Sequence, residues 1–77
     1  MEFQIHLKSV QDILAFVSLS TSRSFPITVG NQKHQVNAKS FLGLFCLNWK
    51  TPMTVTAECT PEEFAIFHQD AQRFVVV

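Results

Sequence analysis

Residues 1–8 alternate: Phe3, Ile5 and Leu7 fall on one side, Gln4, His6 and Lys8 on the other. That is the period of a half-buried strand. Ser9 follows as a hydroxyl N-cap with Asp12 three residues on, a short capping-box pattern. Behind it Val10, Ile13, Leu14 and Val17 stand at i, i+3, i+4 and i+7, the inward stripe of an amphipathic helix. The Ser/Thr-rich residues 18–24 end that helix near Arg23. Residues 25–29 read as a second strand, with Pro26 near its start, where a lost ladder N–H matters least. Gly30 and Asn31 supply turn chemistry, and residues 33–37 return as a short polar strand.

Ser40 is placed to cap a second helix of about two turns, which Asn48 closes in a left-handed conformation and Pro52 prevents from continuing. Residues 53–59 alternate again, with Met53, Val55, Ala57 and Cys59 opposite Thr54, Thr56 and Glu58. Thr60-Pro61-Glu62-Glu63 combines an N-cap, Pro at the first helical position and an acidic third position. Phe64, Phe67 and Ala71 form the buried stripe of the helix that follows. The order β-α-β-β-α-β-α predicts an α+β, two-layer domain: an antiparallel sheet with three helices on one face. Gln4, His6, Lys8, Thr54, Thr56 and Glu58 then lie on the other face, open to water.

Composition narrows the function classes. The chain has 77 residues, room for one small domain spanning 1–77. An apolar fraction of 47% against 16% charged residues argues against disorder. Six basic residues balance six acidic ones, which leaves no electrostatic footprint for nucleic acid or an anionic membrane. No apolar run approaches the roughly 20 residues of a membrane span. Two cysteines, Cys46 and Cys59, are too few for a disulfide scaffold and lack zinc-site spacing. The expectation is a soluble cytoplasmic domain without metal or cofactor.

Residues 36–47, Val36-Asn37-Ala38-Lys39-Ser40-Phe41-Leu42-Gly43-Leu44-Phe45-Cys46-Leu47, carry a pattern of their own. The segment resembles the regulatory-serine segment of HPr, the phosphocarrier of the bacterial sugar phosphotransferase system, which runs V-N-x-K-S-I-M-G-V-M-S-L. The resemblance extends more weakly to the element order of nearly the whole chain. It implies an open-faced β-sandwich of sheet order 1-4-2-3. It also implies protein partners of phosphotransferase or regulatory type.

The family's phosphoryl-accepting histidine lies in an I-H-A-R-P type motif at the start of the first helix. Counting back from Lys39-Ser40 without a gap puts Ser9 in the histidine's place, Gln11 in the arginine's and Asp12 in the proline's. Phosphotransfer needs an imidazole nucleophile and donors for the incoming phosphoryl oxygens. Ser9, Gln11 and Asp12 supply neither, and Asp12 repels phosphate. The resemblance therefore implies a member without histidine phosphotransfer; the alternative is a phosphocarrier using His6. Ser40 matches the family position at which a serine kinase acts, with Lys39 adding a cation beside it, while its plainer role is the N-cap. Phe41, Leu42 and Phe45 occupy the family's partner-contacting places, with Trp49 at their rim. The plainer alternative there is that Leu44 and Leu47 face the sheet and the phenylalanines overhang the core.

Remaining residues of chemical interest have structural readings. His6, His34 and His68 have no cysteine or carboxylate neighbours at metal-site spacing. Cys46 reads as helix packing, and Glu62 and Glu63 as helix capping. The apolar run Phe74-Val75-Val76-Val77 is suited either to pack along the sheet or to pair with another chain.

Overall fold

The computed structural model describes residues 1–76. Strand β1 spans Glu2–Ile5, helix α1 Val10–Thr21, strand β2 Ile27–Gly30 and strand β3 Gln35–Asn37. Helix α2 spans Phe41–Cys46, strand β4 Met53–Ala57 and helix α3 Pro61–Asp70, with a last single turn at Gln72–Phe74. The four strands form one antiparallel sheet in the order β1-β4-β2-β3. Three helices complete an α+β fold, as the hydrophobic pattern predicts.

The core is the inward face of that sheet against the helices. Ile5 and Leu7 are fully buried, as are Val29 and Val55, with Ile27, Met53 and Ala57 almost so. Alternation along β1 and β4 places these residues on one side, in agreement with the period-two reading. Phe67 from α3 sits at the centre of an aromatic cluster. Its ring centroid lies 5.7 Å from Phe3, 5.9 Å from Phe25 and 6.2 Å from Phe16. Such tilted and edge-on rings add about 0.5–1.5 kcal/mol per pair beyond area burial. Helix α3 is started by a complete capping box: the Thr60 hydroxyl accepts from Glu63 N–H, and the Glu63 carboxylate accepts from Thr60 N–H.

Several boundaries and faces differ from the sequence reading. Helix α1 buries Ile13, Phe16 and Ser20, whereas Val10 and Leu14 are exposed. The helix is apolar over more than one face, so two stripes were available. The one carrying the larger Phe16 ring faces the sheet. Strand β3 begins at Gln35 rather than residue 33, because the Asn31 side chain accepts from both Lys33 N–H and His34 N–H and holds them in a turn. Strand β4 ends at Ala57, leaving Cys59 beyond it.

Asn48 does not close α2 in a left-handed conformation. The helix ends instead with Leu47 in extended geometry, and no described residue, glycine included, has a positive φ. Leu47 turns inward at that point, so packing ends the helix. Cys46 is exposed rather than packed. Lys39 is directed away from Ser40: its ammonium donates to the Arg23 carbonyl at 2.8 Å, tying the end of the α1 segment to the start of α2.

Candidate functional site

Two helix starts and one helix face concern function. At the start of α1, Ser9 is the N-cap in extended geometry, and its hydroxyl accepts from Asp12 N–H at 3.2 Å. The Asp12 carboxylate folds back to accept from Lys8 N–H at 3.0 Å. Its other oxygen lies 3.3 Å from the Arg73 guanidinium, delivered by the turn after α3. The free N–H groups and positive end of α1 therefore already face an anion of the chain itself. Gln11 points to solvent beside this turn. Ser9, Gln11 and Asp12 are thus brought together as a helix cap, without an imidazole.

His6 is half-buried, and its Nε2 lies 2.7 Å from the Lys50 carbonyl oxygen. A carbonyl only accepts, so in this contact Nε2 carries a proton and donates it. Strand alternation sets His6 on the side opposite Ile5 and Leu7. Its partner belongs to the loop between α2 and β4, not to the start of α1.

At the start of α2, Ser40 is exposed and its hydroxyl accepts from Gly43 N–H at 3.2 Å. Gly43 lets this turn approach the sheet: a Cβ there would stand 3.1 Å from Val36 Cβ and 3.3 Å from Ser40 Oγ. Helix α2 turns Leu44 fully inward, with Leu47 nearly so. Leu42 remains 72% exposed and Phe45 47% exposed. Phe41 is half-buried against the core, with its ring 5.7 Å from that of Phe45. Trp49 also packs on the core edge, under the Lys50 ammonium at 5.7 Å. Phe41 and Trp49 are thus rim residues, while Leu42 and Phe45 are the exposed members.

Helices α1 and α2 pack against one another, and α1 adds exposed Val10 and Leu14. The pattern of α1 contains both residues but assigns them inward. The signal for their exposure is the competing stripe of Ile13, Phe16 and Ser20, eight residues long and anchored by the bulkier ring. No acidic or basic residue lies in the first or last turn of α2, so its exposed side chains form an apolar, uncharged surface. Among the described residues no group of three or more His, Cys, Asp or Glu side chains is arranged to hold a metal ion. No helix described is long and apolar enough to cross a membrane. Cys59 is half-buried, and desolvation, followed by the Glu63 carboxylate, raises its thiol pKa above the ordinary value.

Solved structures share this architecture. HPr-C-His from Thermoanaerobacter tengcongensis superposes with a TM-score of 0.75 at 25% identity, over 92% of this chain and 89% of that one. The phosphocarrier protein HPr from Bacillus anthracis gives 0.70 at 22% identity, over 99% and 94% of the two chains. A histidine-containing phosphocarrier protein from Mycoplasma gives 0.68 at 16% identity, over 96% and 98%. No family model and no curated protein matches the chain. Sheet order, helix placement and near-complete mutual coverage agree: the chain has the fold of the HPr phosphocarrier proteins.

Proposed function

We propose that this chain is a single, cytoplasmic HPr-like domain that does not transfer phosphoryl groups and instead binds protein partners of phosphotransferase or regulatory type. The observation that carries the reading is the start of α1. In the ungapped correspondence Ser9 takes the place of the acceptor histidine, and the Asp12 carboxylate occupies the helix terminus that would otherwise receive phosphoryl oxygens. An anion there opposes a second one. The Arg73 guanidinium, a group able to receive phosphate, faces Asp12.

Binding then falls to the apolar surface of α1 and α2. Leu42 and Phe45 are its exposed centre, Val10 and Leu14 extend it, and Phe41 and Trp49 lie at its rim. Aromatic and aliphatic anchors of this kind concentrate binding energy. Ser40 stands at the edge of this surface as a candidate for regulatory phosphorylation. About two negative charges placed there would alter the surface's affinity for apolar partners. The cation for that phosphate is not Lys39, which is engaged with Arg23.

A second reading rests on the contact between His6 and the Lys50 carbonyl, which engages Nε2–H and would make Nδ1 the nucleophile of the neutral ring. Incubation with phosphoenolpyruvate and the general phosphotransferase enzyme separates the two. The proposed function expects no acid-labile phosphohistidine. A signal that His6→Ala abolishes would overturn it in favour of the second reading.

A further inference from the structure

Charge on this molecule is balanced in sum and divided in space. Of six basic and six acidic side chains, two of each are matched among the described residues, Arg23 with Asp70 and Arg73 with Asp12. The carboxylates left over, Glu2, Glu58, Glu62 and Glu63, are all exposed and gather at one end of the sheet. Glu2 stands opposite Thr56 near the end of β4, Glu58 follows that strand, and Glu62 and Glu63 lie in the first turn of α3. The Met1 ammonium, which donates to the Ala57 carbonyl at 3.5 Å, is a single cation beside them.

The lysines left over lie elsewhere. Lys39 is spent on the Arg23 carbonyl. Lys8, Lys33 and Lys50 are exposed at the opposite end of the sheet. Lys8 follows β1, Lys33 stands in the turn between β2 and β3, and Lys50 in the loop before β4. The register of Ile5 with Met53, and of Gly30 with Thr54, brings those three segments to the same end.

The two ends also differ in shape. At the acidic end Ile66 is 55% exposed, on the same face of α3 as Glu62 and Glu63, one turn before it. At the basic end a mainly apolar, open groove of about 440 Å³ runs between β3 and the end of α2. Val36, Gly43, Cys46 and Leu47 line it, with His34, the neighbour of Lys33, and Asn48, two residues before Lys50. Association through the β1 margin is closed off by the chain's own end. His6 N–H donates to the Phe74 carbonyl at 2.8 Å, and Val76 N–H to the Gln4 carbonyl at 2.9 Å. Phe74, Val75 and Val76 thus pack along the sheet, and Val77 lies outside the described residues.

We propose that copies of this chain associate head to tail: the acidic start of α3 on one copy, with Ile66 as an apolar knob, seats in the groove between β3 and α2 on the next. A second copy is the occupant because both members of the complementary pair, carboxylates around a knob and lysines around a groove, stand on one chain. Opposite potentials steer and orient such an encounter. A contact between two different faces leaves one of each free, so the assembly extends beyond two chains.

Sedimentation of the full chain at rising concentration, in about 10 mM and about 150 mM salt, tests this, since charges act over about 30 Å in the first and about 8 Å in the second. The average mass is expected to climb past two chains at low salt and to fall back toward one at the higher salt. Glu58→Lys with Glu62→Lys spoils only the acidic end, and Lys33→Glu with Lys50→Glu only the basic end. Each double variant alone, its fold checked by circular dichroism, should remain monomeric. An equal mixture restores one good pair of ends and should stop at two chains. Ile66→Ser, with every charge kept, should weaken association of the otherwise unchanged chain. Should a double variant lose its fold, the salt response and Ile66→Ser decide. A full chain that stays monomeric at low salt overturns the proposal. So does association indifferent to salt, a folded double variant that still self-associates, a mixture that stays monomeric, or an Ile66→Ser chain that associates as the wild type does.

Discussion

Helix α2 has only six residues, yet it carries four large apolar side chains, Phe41, Leu42, Leu44 and Phe45. Its faces can be separated by the stability cost of removing each one. Fully burying a Leu or Phe side chain contributes about 1.5–3 kcal/mol. Leu42 hides 28% of itself (72% exposed), so Leu42→Ser should cost about 0.4–0.8 kcal/mol of burial. Phe45 hides 53% (47% exposed), which raises the cost of Phe45→Ser to about 0.8–1.6 kcal/mol. Leu44 is fully buried, and Leu44→Ala adds a cavity to the lost transfer energy, for about 2–5 kcal/mol.

For a domain of this length 1 kcal/mol moves Tm by about 4–8 °C. The expected order of Tm is therefore wild type, Leu42→Ser, Phe45→Ser, Leu44→Ala, with the first step only about 2–6 °C. Thermal and urea unfolding of the four proteins measures it. The contrast also selects the better binding probe. Leu42→Ser removes apolar surface at little structural cost, whereas Phe45→Ser mixes lost contact with lost stability. If Leu42→Ser destabilised as much as Leu44→Ala, Leu42 would be a core residue and the docking surface would lose its centre.

Gly30→Ala should destabilise by about 1–3 kcal/mol in urea unfolding, because a Cβ there would meet the His34 carbonyl oxygen at 2.1 Å, where the hairpin returns. Ser20→Ala should be neutral to stabilising by up to about 1 kcal/mol, read from the urea midpoint, since the Ser20 hydroxyl is buried with no hydrogen-bond partner among the described residues. In iodoacetamide labelling at neutral pH, Cys46 should react well before Cys59. The raised pKa of Cys59 holds it as the less reactive thiol, so its rate should climb only as the pH is taken into the alkaline range.

What the sequence made legible follows how local each signal is. Strands β1 and β4 alternate cleanly because one face of the sheet is covered and the other open, so period two is the whole of their environment. The caps Ser9, Ser40 and Thr60 are readable because a cap depends on residues within three positions. Helix rotation is different. Residues 10–19 of α1 are apolar at Val10, Ile13, Leu14, Phe16, Val17 and Leu19, and which of them turn inward is decided by the Phe67 and Phe74 rings waiting on the far side.

The same non-local term hid half of the candidate surface. Val10 and Leu14 count as core in any reading of α1 alone, and become surface only when Phe16 is seen to fill the space beneath. Lys39 is a parallel case: adjacency to Ser40 suggests a phosphate partner, while the fold spends its ammonium on Arg23, sixteen residues away. The α1 start joins the two kinds of signal. Ser9 and Asp12 are a local cap, but Arg73 reaches that carboxylate from 61 residues along the chain, through the same segment that covers β1. Loss of that segment should therefore remove both the cover of β1 and the Arg73 contact at the α1 cap, whereas Arg73→Ala should weaken the cap and the cation–π contact on the Phe74 ring at 4.7 Å while the backbone contacts to β1 stay in place.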